Sequence, residues 1–312
     1  MVNPPFEAAK APFLGRVRRL LGRHLHELGM RLQTPTRLVK RQQPWPSDRP
    51  LATIVVPCFN YGRYLDEAVR SALEQTLVRT EIIVIDDGSD DPYTLERLAA
   101  VKHCRARVIR QPNLGLAATR NVGAAVARGK YICYLDADDT LEPEYLERML
   151  VELEQDETLG SCFSWVRCFG DDDSIWKTRS LDPYYLHECT TAPSHSVIRR
   201  TAWERVKALN GSGFLTKYNG YFEDWVFWID MVECGYRGQV VPEALIRYRI
   251  HPNSLGATHR AGFARMLDTL HADRRDFFGK AAYRRQLGRR LNRRIQVENP
   301  EITLATMASA TS

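Results

Sequence analysis

From residue 51 onward, short apolar runs alternate with stretches that have a helical periodicity. The apolar runs predict four β-strands, at 53–56, 81–85, 107–109 and 131–135. Helical patterns cover residues 64–76, 92–101, 114–127 and 143–155, and the second of these has Pro92 at its first position. Strands that alternate with helices at this spacing indicate an α/β fold, with a mostly parallel sheet flanked by helices.

Polar and acidic residues gather where each predicted strand ends. The segments that follow the four strands are Pro57-Cys58-Phe59-Asn60, Asp86-Asp87-Gly88-Ser89, Gln111-Pro112-Asn113 and Asp136-Ala137-Asp138-Asp139. In parallel α/β sheets, ligands bind beyond the carboxyl ends of the strands, where such loops converge. We therefore expect these residues to share one edge of the sheet and to form a binding site there.

The last of these segments carries three carboxylates within four residues. Asp136, Asp138 and Asp139 would repel one another at the mouth of a sheet unless a cation lay between them. Hard oxygen ligands of this kind favour Mg²⁺ or Mn²⁺ bridging to phosphate, which points to a nucleotide diphosphate as substrate. Capping of the helix that starts near Pro143 is an alternative, but a cap needs one carboxylate, not three.

The two ends of the chain are basic, whereas the body is acidic. Residues 1–50 carry 10 basic and 3 acidic side chains, residues 258–294 carry 11 and 3, and residues 51–257 carry 23 and 30. Positive charge on a nucleic-acid binder normally lines the functional face, so this distribution argues against a nucleic-acid partner. It fits a body that is held near an anionic surface, such as the inner face of a membrane.

The terminal segments also differ from the body in their patterning. In residues 11–32, apolar residues recur near a 3.6-residue period with arginines between them, which predicts an amphipathic helix. That helix either lies on an anionic membrane or docks on the body or a partner chain, and the sequence leaves both open. Residues 33–50 are rich in proline and predict a linker. Residues 258–294 predict helices that pack on the body or on a surface, and 297–312 a frayed tail.

Hydropathy and cysteine usage indicate the compartment. The apolar stretches are far shorter than the roughly 18 residues that a membrane-spanning helix needs. Arginines interrupt the N-terminal region where a secretory signal would have its apolar core, so we expect a cytoplasmic protein. The seven cysteines form no C-x-x-C pair and predict reduced, mostly buried thiols instead of a zinc site.

Five short motifs occur together and in order. They are Ile54-Val55-Val56-Pro57-Cys58-Phe59-Asn60, Asp86-Asp87-Gly88-Ser89, Asn113-Leu114-Gly115 with Thr119-Arg120-Asn121, Asp136-Ala137-Asp138-Asp139, and Glu223-Asp224. Together they resemble the family-2 glycosyltransferases of the GT-A fold, over roughly residues 51–255. On this basis we expect a catalytic domain at 51–257, a basic extension and linker at 1–50, and a basic helical extension with its tail at 258–312.

The resemblance implies an activity. Family members transfer a sugar from a nucleotide diphosphate, most often UDP, to an acceptor hydroxyl. We expect an inverting, metal-dependent reaction that uses Mn²⁺ or Mg²⁺, with a glycan or lipid-linked acceptor in cell-surface polysaccharide or glycolipid assembly. The Q-x-x-R-W signature of processive members does not occur in the sequence, so we expect transfer of a single sugar.

Two rival functions fit the sequence less well. A nucleotidyltransferase usually has a glycine-rich, basic phosphate loop after the first strand, but the loop here has a single glycine, Gly62. An inert nucleotide-sugar-binding module would be favoured if Asp87, Asp138 or Asp224 were replaced, and all three are present.

The resemblance assigns the donor side of the site to a set of residues in the first four loops. These are Pro57, Phe59, Asn60, Asp86, Asp87, Asn113, Arg120, Asp136 and Ala137. Asp87 corresponds to the aspartate that accepts a hydrogen bond from uracil, with Asp86 shaping the turn; a plain strand-to-helix turn is the alternative. Arg120 lies where the family often has a basic group near the donor, although a surface salt bridge would explain it equally well.

Metal and catalytic residues follow from the same comparison. Asp138 is expected to contact the metal and Asp136 the ribose or sugar, with Asp139 supporting them. His251 is expected to ligate the metal or contact the diphosphate, with a purely structural role as the alternative, and either Arg247 or Arg249 is expected to face the diphosphate.

Asp224 corresponds to the catalytic base, with Glu223 beside it at the start of an apolar helix; helix capping is the alternative. His195 lies where the family has acceptor-facing residues. Residues 170–191 predict either a mobile acceptor-side loop or a solvated insertion.

Overall fold

The computed structural model describes residues 48–181, 186, 192–252, 254 and 263–279. The predicted amphipathic segment 11–32 and the predicted tail 297–312 lie outside the described residues. Most of the predicted linker 33–50 and part of the basic stretch 258–294 lie outside them as well.

A single mixed sheet organises the described part of the chain. Its strands are β1 (Ala52–Cys58), β2 (Thr80–Asp86), β3 (Ala106–Arg110), β4 (Tyr131–Tyr134), β5 (Thr140–Leu141), β6 (Leu159–Gly170), β7 (Ile175–Trp176), β8 (Val197–Arg199) and β9 (Arg237–Ile250). The order is β3-β2-β1-β4-β8-β6-β9-β5, and β7 pairs with β6. Strands β1 to β4 run parallel to one another, whereas β8 runs antiparallel to both of its neighbours.

Helices cover this sheet. They are α1 (Gly62–Leu73), α2 (Pro92–Ala100), α3 (Leu116–Val126), α4 (Tyr145–Gln155), α5 (Arg200–Asn210), α6 (Glu223–Glu233) and α7 (Phe263–Asp273), with a 3₁₀ turn at Thr216–Tyr218. The four predicted strands and four predicted helices of residues 51–155 are confirmed, with ends that differ from the predicted ones by at most three residues. The α/β class is therefore confirmed, including the largely parallel first half of the sheet.

Strand β1 separates two hydrophobic layers. Its seven residues are all buried, and side chains alternate between the two faces of a strand. Val55 packs in the layer that contains α3, while Ile54 and Val56 pack in the layer that contains α1 and α4. Gly123 of α3 lies so close to β1 that an added Cβ would be 2.2 Å from Val55 Cγ1. The close packing fixes α3, and with it the side chain of Arg120, against the sheet.

The last long strand brings the chain back to the acidic loop. Strand β9 pairs with β5, with Thr140 opposite Arg247. Because β5 directly follows Asp139, this pairing places the residues after β9 beside the 136–139 loop. The position of His251 next to Asp138 follows from that register.

Residues 170–191 are only partly the open loop expected from their lack of periodicity. Ile175 and Trp176 form β7 and remain exposed, but Leu181 and Leu186 are buried in the core. Leu181 has polar neighbours and Leu186 follows two tyrosines, so neither lies in a periodic apolar pattern that would predict its burial. The described part of this segment is therefore more than a solvated insertion.

Residues 263–279 pack on the body. Leu270, Phe277 and Phe278 are buried in the same layer as Trp225 of α6. Arg274 also contacts the fully buried Asp230 of α6, with Nη2 2.7 Å from Oδ1. This segment of the basic C-terminal stretch is thus part of the folded body.

Two further predictions concern the chain's environment. Among the helices of the described ranges, none combines the length and the apolarity that crossing a bilayer would need. Of the described cysteines, Cys58, Cys133, Cys162 and Cys168 are buried and unpaired, as expected for reduced thiols. Cys189 lies outside the described residues.

Candidate active site

The acidic loop after β4 is held in place by β9. The backbone N–H of Arg249 donates to Asp139 Oδ1 at 2.7 Å, and Arg249 Nε donates to the Asp138 carbonyl at 2.8 Å. The guanidinium of Arg249 lies between the rings of Tyr64 and Phe169 and bonds Glu67. Arg249 therefore positions the loop, and its charge is directed to Glu67. Of the two alternatives for an arginine that faces a diphosphate, Arg247 or Arg249, the structure disfavours Arg249.

Asp138 and His251 form a pair at the edge of this loop. Asp138 Oδ2 lies 3.0 Å from His251 Nε2, and the two side chains are 13% and 9% exposed. Burial, and then the charge of Asp136, raise the pKa of Asp138. A divalent cation would relieve both effects, and a carboxylate with a neutral imidazole is a suitable donor set for Mn²⁺. The residues present therefore fit a metal ion.

A second combination of possible ligands lies deeper. Asp136, Asp139 and His195 bring their ligand atoms within 4.8 Å of one another. However, Asp139 and His195 are fully buried and contact each other at 2.6 Å, while Asp136 is engaged by Arg120. We favour Asp138 and His251 as metal ligands because they are more accessible than Asp139 and His195 and, unlike Asp136, form no ion pair with an arginine or lysine of the described residues.

His195 does not face an open acceptor site, contrary to the sequence-based expectation. It is buried behind the acidic loop, where Tyr145 donates to its carbonyl at 2.8 Å. Burial raises the pKa of Asp139 to about 7. Burial lowers the pKa of His195, but Asp139 more than offsets this and leaves it above its ordinary value. Asp139 and His195 thus form a hydrogen-bonded support beneath Asp138.

Arg120 joins the acidic loop to helix α6. Its guanidinium is 2% exposed and donates to Asp136 Oδ1 and to Glu223 Oε1, both at 2.9 Å. Burial lowers the pKa of Arg120, but Asp136 and Glu223 raise it more, so the guanidinium stays charged. Arg120 also holds the pKa of Asp136 below its usual value despite burial. Because Arg120 is buried, the alternative that it forms a surface salt bridge is wrong.

Asp224 lies in the first turn of α6, as the sequence predicts. Its Oδ1 accepts a hydrogen bond from the Trp225 backbone N–H at 2.7 Å. Burial raises the pKa of Asp224 to about 7, the charge of Glu223 acts in the same direction, and Arg120 opposes both. The sequence left the direction of this shift open, and the packing of α6 decides it. A carboxylate with a pKa near 7 is well suited to general base catalysis.

A cavity of about 340 Å³ opens at the carboxyl ends of β1 to β4. Several residues expected on the donor side line it, namely Pro57, Phe59, Asp87, Asn113, Asp136, Ala137 and the metal candidate Asp138. The strand ends therefore do share one edge of the sheet, and they surround a space there.

Asp87 organises one wall of this cavity. Its Oδ1 accepts from the Leu114 N–H at 2.8 Å and from Gln111 Nε2 at 2.7 Å, and its Oδ2 accepts from the Gly115 N–H at 2.8 Å. A carboxylate can accept about four hydrogen bonds, so Oδ2 retains capacity for one more donor. The geometry is compatible with both a loop-stabilising and a ligand-binding role.

Comparison with known proteins then identifies the family. The family model "Glycosyl transferase family 2" matches residues 53–213, just over half of the chain. The chain belongs to glycosyl transferase family 2. The match ends before Glu223 and Asp224, so the assignment of those two residues rests on the motif and the geometry.

Relatives of this glycosyltransferase come from several bacteria. It is 28% identical to an uncharacterized glycosyltransferase of Haemophilus influenzae over 67% of this chain and 68% of that protein. It is 31% identical to a chondroitin synthase of Escherichia coli over 52% of this chain, but only 24% of that protein.

A solved structure supports the fold. The crystal structure of S. aureus TarS 1-349 in complex with UDP is 18% identical, with a TM-score of 0.51, over 64% of this chain and 61% of that one. The GT-A fold is therefore confirmed.

Besides Arg120, two residues of the predicted donor set, Asn60 and Asp86, support the glycosyltransferase site from outside the cavity lining. Asn60 adopts a left-handed φ of 57°, and its Oδ1 accepts the backbone N–H groups of Asp90 and Asp91 at 3.0 Å. Asp86 is buried and accepts the Ser89 N–H at 2.9 Å, which shapes the turn as expected. Both side chains order the loops that carry neighbouring site residues.

Other site residues carry no recognisable sequence signal. Tyr61, Asn219 and Tyr248 line the cavity, and Ser194 donates to Asp136 Oδ2 at 3.1 Å. Asn219 Oδ1 also accepts the Ala117 N–H at 2.8 Å, which connects the segment before α6 to the start of α3. Residues 102 positions apart meet here, and no local pattern in the sequence indicates such a contact.

Proposed function

We propose that this family-2 glycosyltransferase transfers a single sugar from a UDP-sugar to an acceptor hydroxyl, with inversion and with the aid of Mn²⁺ or Mg²⁺. The observation that carries the proposal is the cavity at the carboxyl ends of β1 to β4, with Asp87 on one wall and Asp138, paired with His251, on another. TarS, which shares the fold, has been solved in complex with UDP and with UDP-GlcNAc.

In this proposal, one wall of the cavity binds the base of the donor and the other holds the cation. Asp87 Oδ2 accepts a hydrogen bond from the base, and the half-exposed ring of Phe59 provides a surface against which the base packs. Asp138 and His251 would hold the cation, which would neutralise the charge of the departing diphosphate. Asp136 faces the ribose or sugar, with its charge balanced by Arg120.

Asp224 acts as the general base in this proposal. Its carboxylate takes the proton from the acceptor hydroxyl as the oxygen attacks the anomeric carbon of the donor, and the bond to UDP breaks. A single displacement inverts the anomeric configuration. Glu223, tied to Arg120, fixes the start of α6 and raises the pKa of Asp224 toward neutrality.

We infer the acceptor, a glycan or a lipid-linked molecule, from the kinds of protein found among the relatives. Some relatives are synthases of polysaccharides, including the chondroitin synthase of Escherichia coli and a hyaluronan synthase of Pasteurella multocida. The present chain spans only 24% and 13% of those proteins, so their substrates are a guide to the chemical class alone. Cytoplasmic location, with peripheral membrane association through the basic ends, belongs to the same proposal.

The product's stereochemistry and one variant test this function. Transfer to a glycan acceptor, followed by proton NMR of the new linkage, should show the configuration opposite to that of the donor. The Asp224→Asn variant should bind UDP like the unaltered protein but transfer sugar roughly a hundredfold to ten-thousandfold more slowly, as expected when a general base is removed. Retention of the donor's configuration would contradict the mechanism.

A further inference from the structure

A second cavity, of about 290 Å³, opens at the opposite edge of the sheet from the donor cavity. It lies where β2 and β3 begin, since Arg79 and Arg105 directly precede these strands. Five arginines line it, Arg49, Arg79, Arg105, Arg107 and Arg128. We call it the arginine cavity.

The acidic residues of the arginine cavity do not balance this charge. Asp48 and Glu81 are the acidic side chains in its lining, against five arginines. Glu81 is buried and already accepts three hydrogen bonds, from Thr53 Oγ1 at 2.7 Å and from the backbone N and Nε of Arg128 at 2.6 and 2.9 Å. The cavity therefore keeps a net positive charge after the pair of Glu81 with Arg128 is removed.

Two of the arginines are fixed by backbone carbonyls. Arg105 Nη2 donates to the Leu73 carbonyl at 2.7 Å, and Arg107 Nη2 donates to the Val126 carbonyl at 3.0 Å. These carbonyls belong to the last residues of α1 and α3, where the helix dipole supplies roughly half a negative charge. Within the described ranges, neither guanidinium lies within ion-pair distance of a carboxylate. Each guanidinium is thus anchored at one nitrogen without being neutralised.

Arg105 also has an unused donor. Its Nη1 atom is buried and has no hydrogen-bond acceptor among the residues that the structure describes. A buried guanidinium N–H without an acceptor is costly, and a shift of the Arg105 side chain that brought Nη1 to an oxyanion in the cavity would satisfy it. Fixed guanidinium groups match phosphate oxygens particularly well, because they can donate two parallel hydrogen bonds.

We propose that the arginine cavity binds a phosphate or diphosphate group, at a site separate from the donor cavity and on the other edge of the sheet. Arg105 and Arg107 supply the principal contacts. The phosphate is carried either by a soluble ion or by the headgroup of an anionic lipid.

Inorganic pyrophosphate provides the first test. The full chain is titrated calorimetrically in EDTA, which removes metal-assisted binding at the donor cavity. We expect the double variant Arg105→Gln/Arg107→Gln to bind pyrophosphate at least tenfold more weakly than the unaltered protein. The control is Arg205→Gln, an exposed arginine of α5 outside this cavity. It should bind pyrophosphate normally.

Vesicles distinguish the two sources of phosphate. Co-sedimentation with phosphatidic acid vesicles is measured for the same proteins, so the basic ends are present in each. If the double variant, but not Arg205→Gln, loses vesicle binding, the phosphate belongs to a lipid headgroup. If the double variant loses pyrophosphate binding and keeps vesicle binding, the phosphate belongs to a soluble ion.

The proposal is overturned if the double variant matches Arg205→Gln in both assays. Should circular dichroism show that the double variant is unfolded, Arg105→Lys/Arg107→Lys replaces it, since lysine keeps the charge and loses the planar fork. The lysine pair is then expected to weaken binding in at least one assay, and unchanged binding in both contradicts the proposal.

Discussion

Arg120 Nη1 donates to Glu223 Oε1 at 2.9 Å, although 103 positions separate the two residues in the chain. The same guanidinium bonds Asp136 in the acidic loop. Helix α3, the loop after β4 and the start of α6 are therefore joined at one buried group. The contact thus fixes the position of the candidate base, at the start of α6, relative to the donor side of the site.

Replacing Arg120 should destabilise the protein and abolish its activity. In Arg120→Met, Asp136 and Glu223 would lose their shared counter-charge, and breaking a buried ion pair on one side costs about 3–5 kcal/mol. Urea denaturation measures the change in the free energy of unfolding. Arg205→Met, an exposed arginine in α5, is the matched control and should keep the unaltered midpoint. Equal midpoints for both variants would show that the buried contact does not stabilise the fold.

The rate of transfer should depend on pH through Asp224. Its pKa is raised to about 7 by burial and by Glu223, and the base must be ionised to take a proton. We therefore expect kcat/KM to fall tenfold per pH unit below about pH 7 and to level off above it. A profile of kcat/KM measured from pH 5 to 9 tests this. The residual activity of Asp224→Asn should not show the fall below pH 7. A flat profile over pH 5 to 7 in the unaltered enzyme would exclude Asp224 as the base.

The contact between Asp230 and Arg274 should make residues 263–279 essential for stability. Asp230 is fully buried, and Arg274 Nη2 lies 2.7 Å from its Oδ1. Loss of the arginine leaves that carboxylate with a hydrogen bond from Asn210 Nδ2 but without its arginine counter-charge, so Arg274→Met should lower the free energy of unfolding by about 3 kcal/mol. Arg275→Met, an exposed neighbour, provides the comparison in urea denaturation. The prediction fails if Arg274→Met is no less stable than Arg275→Met.

The first half of the fold is predictable because its signals are local. Strands β1, β2 and β4 each contain a continuous apolar run, β3 contains the shorter run Val108-Ile109, and each intervening helix has its own periodicity and turn residues. Strand β9 is different, since its pairing with β6 changes register near Ser164 and Trp165. Such an irregular long-range pairing depends on packing that no short window of sequence contains.

The candidate site likewise contains some residues that the sequence predicts and others that it does not. Asp138 and Asp224 are predictable because each lies in a short motif next to a predictable element. The buried environment of Arg120 is not, because an arginine in an alanine-rich helix has the pattern of a surface residue. Its partners are 16 and 103 positions away. The contact between His195 and Asp139 likewise depends on β8 pairing with β4.

Calorimetric titration of UDP with and without Mn²⁺ tests the central claim most directly. The unaltered protein should bind UDP more tightly with Mn²⁺, and Asp138→Asn should lose that gain, because Asp138 and His251 are the proposed ligands of the cation. Asp172→Asn, an exposed carboxylate outside the cavity lining, should behave like the unaltered protein. Metal-dependent binding that disappears in Asp138→Asn alone is the result we predict. UDP binding that is absent, or that is unaffected by both Mn²⁺ and the Asp138 substitution, would contradict a metal-assisted donor site.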